Sequence, residues 1–335
     1  MKYILLTVFI FLSQNLFSQT GGETVYAFLN TPTSPKQIAL GGVTLTTRND
    51  VSQVLWNPSA VNSQVDGDVS VNFVNYIADI NVGSLVYARS IKPEYGTAFL
   101  GVQYFGYGDL ERTDASGPDV LGTFSARDIA FNLGYGYTYK QVTFGITAKY
   151  ISSKIDTYTS SAFLYDLGIT YLHPELPFIV SIVVRNSGKQ LTKYLDREEE
   201  VGKNVIMAAE YSLEHVPIKL YGAIDDISNW AISEPNPSRE KTDLNDNVTE
   251  ENISDVDNAL RHLSIGAELW PEKKLNLRIG YNHRRSQEFQ LSEARTGAGL
   301  SYGFGINTKY IKFDYAFAKF QEGAKYSTFG LTLHL

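Results

Sequence analysis

The chain has no cysteine, only 2 methionines and 3 tryptophans, and no excess of basic charge. Without cysteine there is neither a disulfide framework nor a thiolate zinc cluster. A formal net charge of −7 offers no positive field for nucleic acid. Beyond the opening residues, no apolar run approaches the roughly 20 residues that a helix needs to cross a bilayer. Histidine is scarce, with 5 in the chain. His173 and His215 fall in short turns and His283 and His334 at strand ends, and no two have metal-ligand spacing. The sequence therefore calls for no cofactor and no metal.

What is present begins with an address. Lys2 supplies a positive end, Tyr3 to Leu12 are mostly apolar, and Ser13 to Ser18 are polar or small. This predicts a signal peptide over residues 1–18, cut near Ser18/Gln19, and export through the inner membrane. Tyrosine (22), phenylalanine (18) and glycine (27) dominate what remains.

From Asp68 onward one unit repeats: nine to eleven residues of alternation, then a turn, the signature and length of a tilted membrane strand. Ile129, Phe131, Leu133, Tyr135 and Tyr137 form a bulky apolar face, while Ala130, Asn132, Gly134 and Gly136 between them are small or polar. Fourteen such segments are expected: 68–76, 81–91, 95–105, 127–139, 142–155, 162–172, 178–186, 203–213, 218–227, 262–269, 274–283, 297–306, 309–318 and 326–334. Connections after odd-numbered segments are mostly long (106–126, 188–202, 228–261, 284–296), and those after even-numbered ones are short, as in Lys140 with Gln141. That asymmetry predicts an all-β, 14-stranded transmembrane β-barrel of the outer membrane over residues 68–335, with long loops outside and both termini in the periplasm. Two-residue hairpins require facing strands to carry apolar side chains on opposite parities. The strands flanking Lys140–Gln141 and Asn307–Thr308 obey this.

Residues 19–67 do not alternate and contain Pro32, Pro35, Gly41, Gly42 and Pro58. They suit an N-terminal hatch, either a plug or a periplasmic lid. On the barrel segments the charges oppose the aromatics, so Lys149 and Asp166 are expected to form an ion pair in the lumen. Glu210, Glu268, Arg278, Lys312 and Asp314 belong to the same inward class and imply a wet or salt-bridged interior. His262 and Ser264 share one strand face, but alternation turns that face to the lumen, away from any lipid substrate. The acidic stretch Glu234 to Asp257 reads as a solvated surface loop or a Ca²⁺ or partner site, although it lacks EF-hand spacing.

Two stretches carry a resemblance. Gly21-Gly22-Glu23-Thr24-Val25-Tyr26-Ala27-Phe28-Leu29-Asn30, with Ser34-Pro35-Lys36-Gln37-Ile38-Ala39-Leu40-Gly41-Gly42, resembles the N-terminus of the PorV/PorQ family of the type IX secretion system. Trp56-Asn57-Pro58-Ser59 is similar to the Asn-Pro-Ala motif that this family shares with long-chain fatty-acid transport barrels, with Ser59 in place of alanine. The resemblance implies a fourteen-stranded barrel with a hatch built on Gly41, Gly42, Asn57 and Pro58. It also implies a non-enzymatic anchor in a cell-surface attachment complex. The implied partners are a PorZ-like surface protein, a PorU-like sorting protease, a PorV-like barrel and lipopolysaccharide. The alternative is an outer-membrane channel for hydrophobic small molecules such as long-chain fatty acids.

Overall fold

The computed structural model describes residues 24–75, 80–92, 95–113, 121–195, 198–233, 235–236, 241–242, 248–249, 251–289, 297–321 and 324–335. The expected signal segment and its cleavage point lie outside them, as do Gly21, Gly22 and Glu23 of the opening motif and Glu234, Glu240, Asp243, Asp246 and Glu250 of the acidic loop.

Among the described residues, fourteen antiparallel strands close a barrel. They are β1 (Asp68–Asn75), β2 (Asn81–Lys92), β3 (Gly96–Glu111), β4 (Thr123–Tyr139), β5 (Val142–Ile155), β6 (Tyr158–Leu172) and β7 (Phe178–Thr192). The second half comprises β8 (Asn204–Ser212), β9 (Ile218–Ile224), β10 (Leu263–Leu269), β11 (Leu275–Asn282), β12 (Leu300–Asn307), β13 (Ile311–Gln321) and β14 (Ala324–His334). Each strand pairs with its sequence neighbours, and β14 returns to β1 with Phe329 opposite Phe73, which leaves no free edge. Closure satisfies every ladder from within, which hydrocarbon demands.

Alternation sets the two faces. Outward side chains such as Phe131, Leu133, Ile146 and Ile279 stand 49–58% exposed, together a continuous apolar band far larger than a water-soluble surface carries. Inward neighbours such as Asn132, Thr147 and Thr170 are buried.

The strands are unequal. β3 to β7 run to 14–17 residues, whereas β9 to β12 have 7 or 8. The long ones continue into stretches expected as loops, with Asp109 facing Ser125 and Ser161 facing Thr192. Alternation failed to show this because each ladder shifts register, between Gly106 and Asp109 and again opposite Asp166. A bulge reverses the parity that the pattern relies on. Two expected loops also contain helices, α2 (Asp255–Arg261) and α3 (His283–Glu288), capped by Ser254 and Asn282.

The segment from Thr24 to Gly67 is inside the cylinder. Thr24–Val25 pairs with Glu200–Val201 in the β7–β8 loop, and Gly67 bonds Ala88 and Leu335 at the short-turn end. The segment therefore runs the length of the lumen, starting at the long-loop end. Leu335 lies at the short-turn side, as expected of the C-terminus, and the N-terminus lies outside the described residues.

Candidate functional site

Apart from the short strand Thr24–Val25, the plug from Thr24 to Gly67 is built from short helical turns. Ser34 caps and Pro35 opens a five-residue helix, α1 (Pro35–Ala39), whose backbone ends at two glycines. Gly41 and Gly42 adopt φ of +102° and +95°, where a side chain would be strained. Gly42 N–H donates to the Gln37 carbonyl at 2.9 Å, closing the helix end. α1 lies against β11 to β14, where Ser301 donates to the Ala39 carbonyl at 3.2 Å.

Asn57 and Pro58 sit against the opposite wall. The turn Pro58–Ala60 packs on β4, β5 and β6. Asn57 Oδ1 accepts from the Ser59 amide (2.9 Å) and hydroxyl (2.6 Å), while its Nδ2 donates to the Leu45 carbonyl at 2.7 Å. The Ser59, Thr170 and Ser181 hydroxyls then form a chain, each 2.7 Å from the next. The Ser59 hydroxyl thus adds a link between plug and wall that an alanine could not make.

Wall glycines make this contact possible. A β-carbon at Gly145 would stand 2.2 Å from the Pro58 carbonyl carbon, one at Gly168 2.5 Å from Asn57 Oδ1, and one at Gly280 2.1 Å from Gly41 N. These inward glycines, read in the sequence only as small lumen residues, are the sockets of the plug.

The interior charges are organised. Lys36 of the plug lies 3.0 Å from Glu268, which also holds Arg278 at 2.9 Å, and Arg278 reaches Asp314 at 2.6 Å. Lys312 bridges Asp314 (3.3 Å) and Asp50 of the plug (3.5 Å), and the Tyr221 hydroxyl donates to Glu268 at 2.8 Å. Glu210 pairs separately with Lys219 at 3.2 Å. Buried charges persist only when paired and hydrogen-bonded, so removing one partner strands the others. The plug is latched by two such pairs.

Lys149 and Asp166 meet at 2.5 Å, both fully buried. They are diagonal rather than opposite, since Lys149 faces Leu164 and Asp166 faces Thr147. The β7 bulge turns Asn186 inward beside Arg185; Asn186 accepts from Lys149 at 2.9 Å. Arg185 donates to the Leu29 carbonyl at 2.8 Å and lies 3.7 Å over the Trp56 ring, a second clamp on the plug. Arg185 keeps the inward parity of Ser181 and Val183, so alternation could have found it, whereas Asn186 is the residue that the bulge turns inward against the pattern.

Two cavities flank α1. The one at the loop end, about 260 Å³, is lined by Ile38, Gly41, Gly42 and Val43 of the plug together with Trp56, Asp225, Arg284 and Phe289. The other, about 200 Å³, lies at the short-turn end against Lys36, Asn49, Glu268, Arg278 and Lys312. At the loop-side cavity burial lifts the Asp225 carboxyl to about 6; Arg284 opposes this and Asp226 adds to it.

His262 is buried as the C-terminal cap of α2 and stacks on Trp230, its ring nitrogens 2.7 Å and 3.2 Å from the Asp225 and Trp230 carbonyls. Ser264 accepts from Asn282 Nδ2 at 2.8 Å instead of meeting His262. The two form no nucleophile–base pair.

No protein-family model and no characterised protein sequence matches the chain. Its fold is that of outer-membrane barrels. The toluene transporter TbuX of Ralstonia pickettii is similar over 91% of this chain and 98% of its own, at 10% identity and a TM-score of 0.50. A variant of the monoaromatic hydrocarbon channel TodX is similar over 90% and 97%, at 11% identity and a TM-score of 0.52.

Proposed function

We propose that this chain is an outer-membrane conduit for ring-sized small molecules, closed at rest by its own plug. The observation that carries the reading is the pair of cavities on either side of α1, one lined by its Ile38 end and the other by Lys36. Movement of this five-residue helix, held by the Lys36–Glu268 pair and the Ser301 bond, would join them. The barrels of similar fold include a transporter named for toluene and a channel named for monoaromatic hydrocarbons, which supports a conduit. Chambers of about 260 and 200 Å³ with charged lining suit a single amphipathic ring; an extended acyl chain would need the plug withdrawn. Reconstituted in liposomes, the native chain should pass small solutes slowly and Lys36→Ala several-fold faster. Equal flux through both, at the level of empty liposomes, would remove the conduit reading.

A second reading has its own observation. β3 to β7 project past the length a membrane requires and present Leu121, Tyr158, Leu191 and Leu195 at 50–67% exposure. Such a palisade would serve the PorV/PorQ-like anchor role by holding a PorZ-like surface protein. Leu191→Glu with Leu195→Glu should then abolish co-purification of that protein while the barrel still folds.

A further inference from the structure

Two residues that line the loop-side cavity carry buried polar atoms that the protein leaves without partners. The Trp56 indole N–H finds no acceptor although the residue is 96% buried, as its 4% exposure shows. Asp225 Oδ1 finds no donor, and both residues line the same cavity. An unmet buried donor or acceptor costs free energy that a ligand recovers when it supplies the missing partner. One orphan donates and the other accepts, so the complementary group must do both, as a hydroxyl does.

The remaining lining fixes charge and size. Arg284 is held by Glu288 at 2.8 Å and approaches Asp226 at 3.8 Å, and Arg285 donates to the Gly299 carbonyl at 2.8 Å. With Asp225 the lining carries three carboxylates to two guanidiniums, so it leaves no positive charge that calls for an anion. Asn30, Asn204 and Asn282 add neutral donors and acceptors, while Ile38, Val43 and Phe289 supply apolar surface. A volume of about 260 Å³ lies just below the range of drug-sized ligand pockets and limits the occupant to one small ring.

From these features we infer that the loop-side cavity is a binding site for a neutral hydroxylated ring. One hydroxyl takes the Trp56 N–H and gives its proton toward Asp225, while the ring lies on the apolar wall. The inference rests on the conduit reading for its biological sense, as the recognition chamber ahead of the plug, but the site itself is measurable without transport.

The test is calorimetric titration of the full chain in detergent micelles with catechol and with myo-inositol, an aromatic and an alicyclic source of the same chemistry. Toluene and benzoate serve as contrasts. Saturable binding of either hydroxylated ring is expected, weakened about tenfold or more by Asp225→Asn and by Trp56→Phe, which keeps a ring under Arg185 while deleting the N–H. In a Trp230→Phe, Trp270→Phe background, Trp56 fluorescence should report the same titration. Binding with no flux in liposomes would defeat the conduit and leave the site; flux with no binding would defeat the site alone. Absence of binding by both hydroxylated rings overturns the inference. So does binding that both variants leave unchanged, or tighter binding of toluene or benzoate.

Discussion

Replacing Gly145 by alanine should unseat the plug without opening the barrel. The new β-carbon would stand 2.2 Å from the Pro58 carbonyl carbon, 2.3 Å from the Ser59 nitrogen and 2.4 Å from the Pro58 oxygen. All three are backbone atoms of a turn pinned by Asn57, so no side chain can swing aside. Overpacking of a tight site costs about 1–3 kcal/mol, and backbone opposition places this one at the upper end. About 3 kcal/mol corresponds to a roughly 150-fold shift toward the undocked plug. Gly222→Ala is the matched control, because a β-carbon there meets nothing within 4 Å. Amide exchange followed by mass spectrometry should show faster exchange across Val54 to Val61 in Gly145→Ala, with the wall strands still protected. Identical exchange in the two variants would refute the socket argument, as would loss of protection throughout the barrel.

Three further outcomes are expected. Ser59→Ala, which removes the hydroxyl link to Thr170 while keeping the Asn57 cap, should cost about 1 kcal/mol in denaturant unfolding from lipid vesicles. Leu133→Arg, on the outward face, should cost about 2–4 kcal/mol in vesicles, a penalty that shrinks in detergent if the band faces lipid. The Asp225 carboxyl is raised by burial to about 6 in the fold, against an ordinary value of 3.8, so the folded chain binds the extra proton between those values. Its contribution is fully present below pH 4 and lost as pH rises through about 6. Thermal unfolding should therefore be easier at pH 7.5 than at pH 4.5 by up to about 3 kcal/mol, and Asp225→Asn should remove most of that slope.

Because a strand presents successive side chains to opposite sides, alternation alone separated Phe131 and Leu133 from Asn132 and Gly134, and short turns such as Lys140–Gln141 fixed the pairing of neighbours. Fourteen strands, a closed ladder and the inward position of Lys149, Asp166 and Glu268 follow from those local rules. The motif residues Gly41, Gly42, Asn57 and Pro58 were legible as a hatch, yet nothing local said whether it capped the barrel or filled it. That depended on inward glycines from strands far apart in sequence, which become sockets only when the cylinder closes around Thr24 to Gly67. The same holds for Arg185 over Trp56, for Lys36 with Glu268 and for the cavity that joins Trp56 to Asp225. Period and turn chemistry act over a few residues and can be read along the chain. Bulges arise between neighbouring strands but leave no mark in the alternation. Contacts across the lumen, such as Trp56 with Arg185 or Lys36 with Glu268, join segments more than a hundred residues apart that only the closed fold brings together.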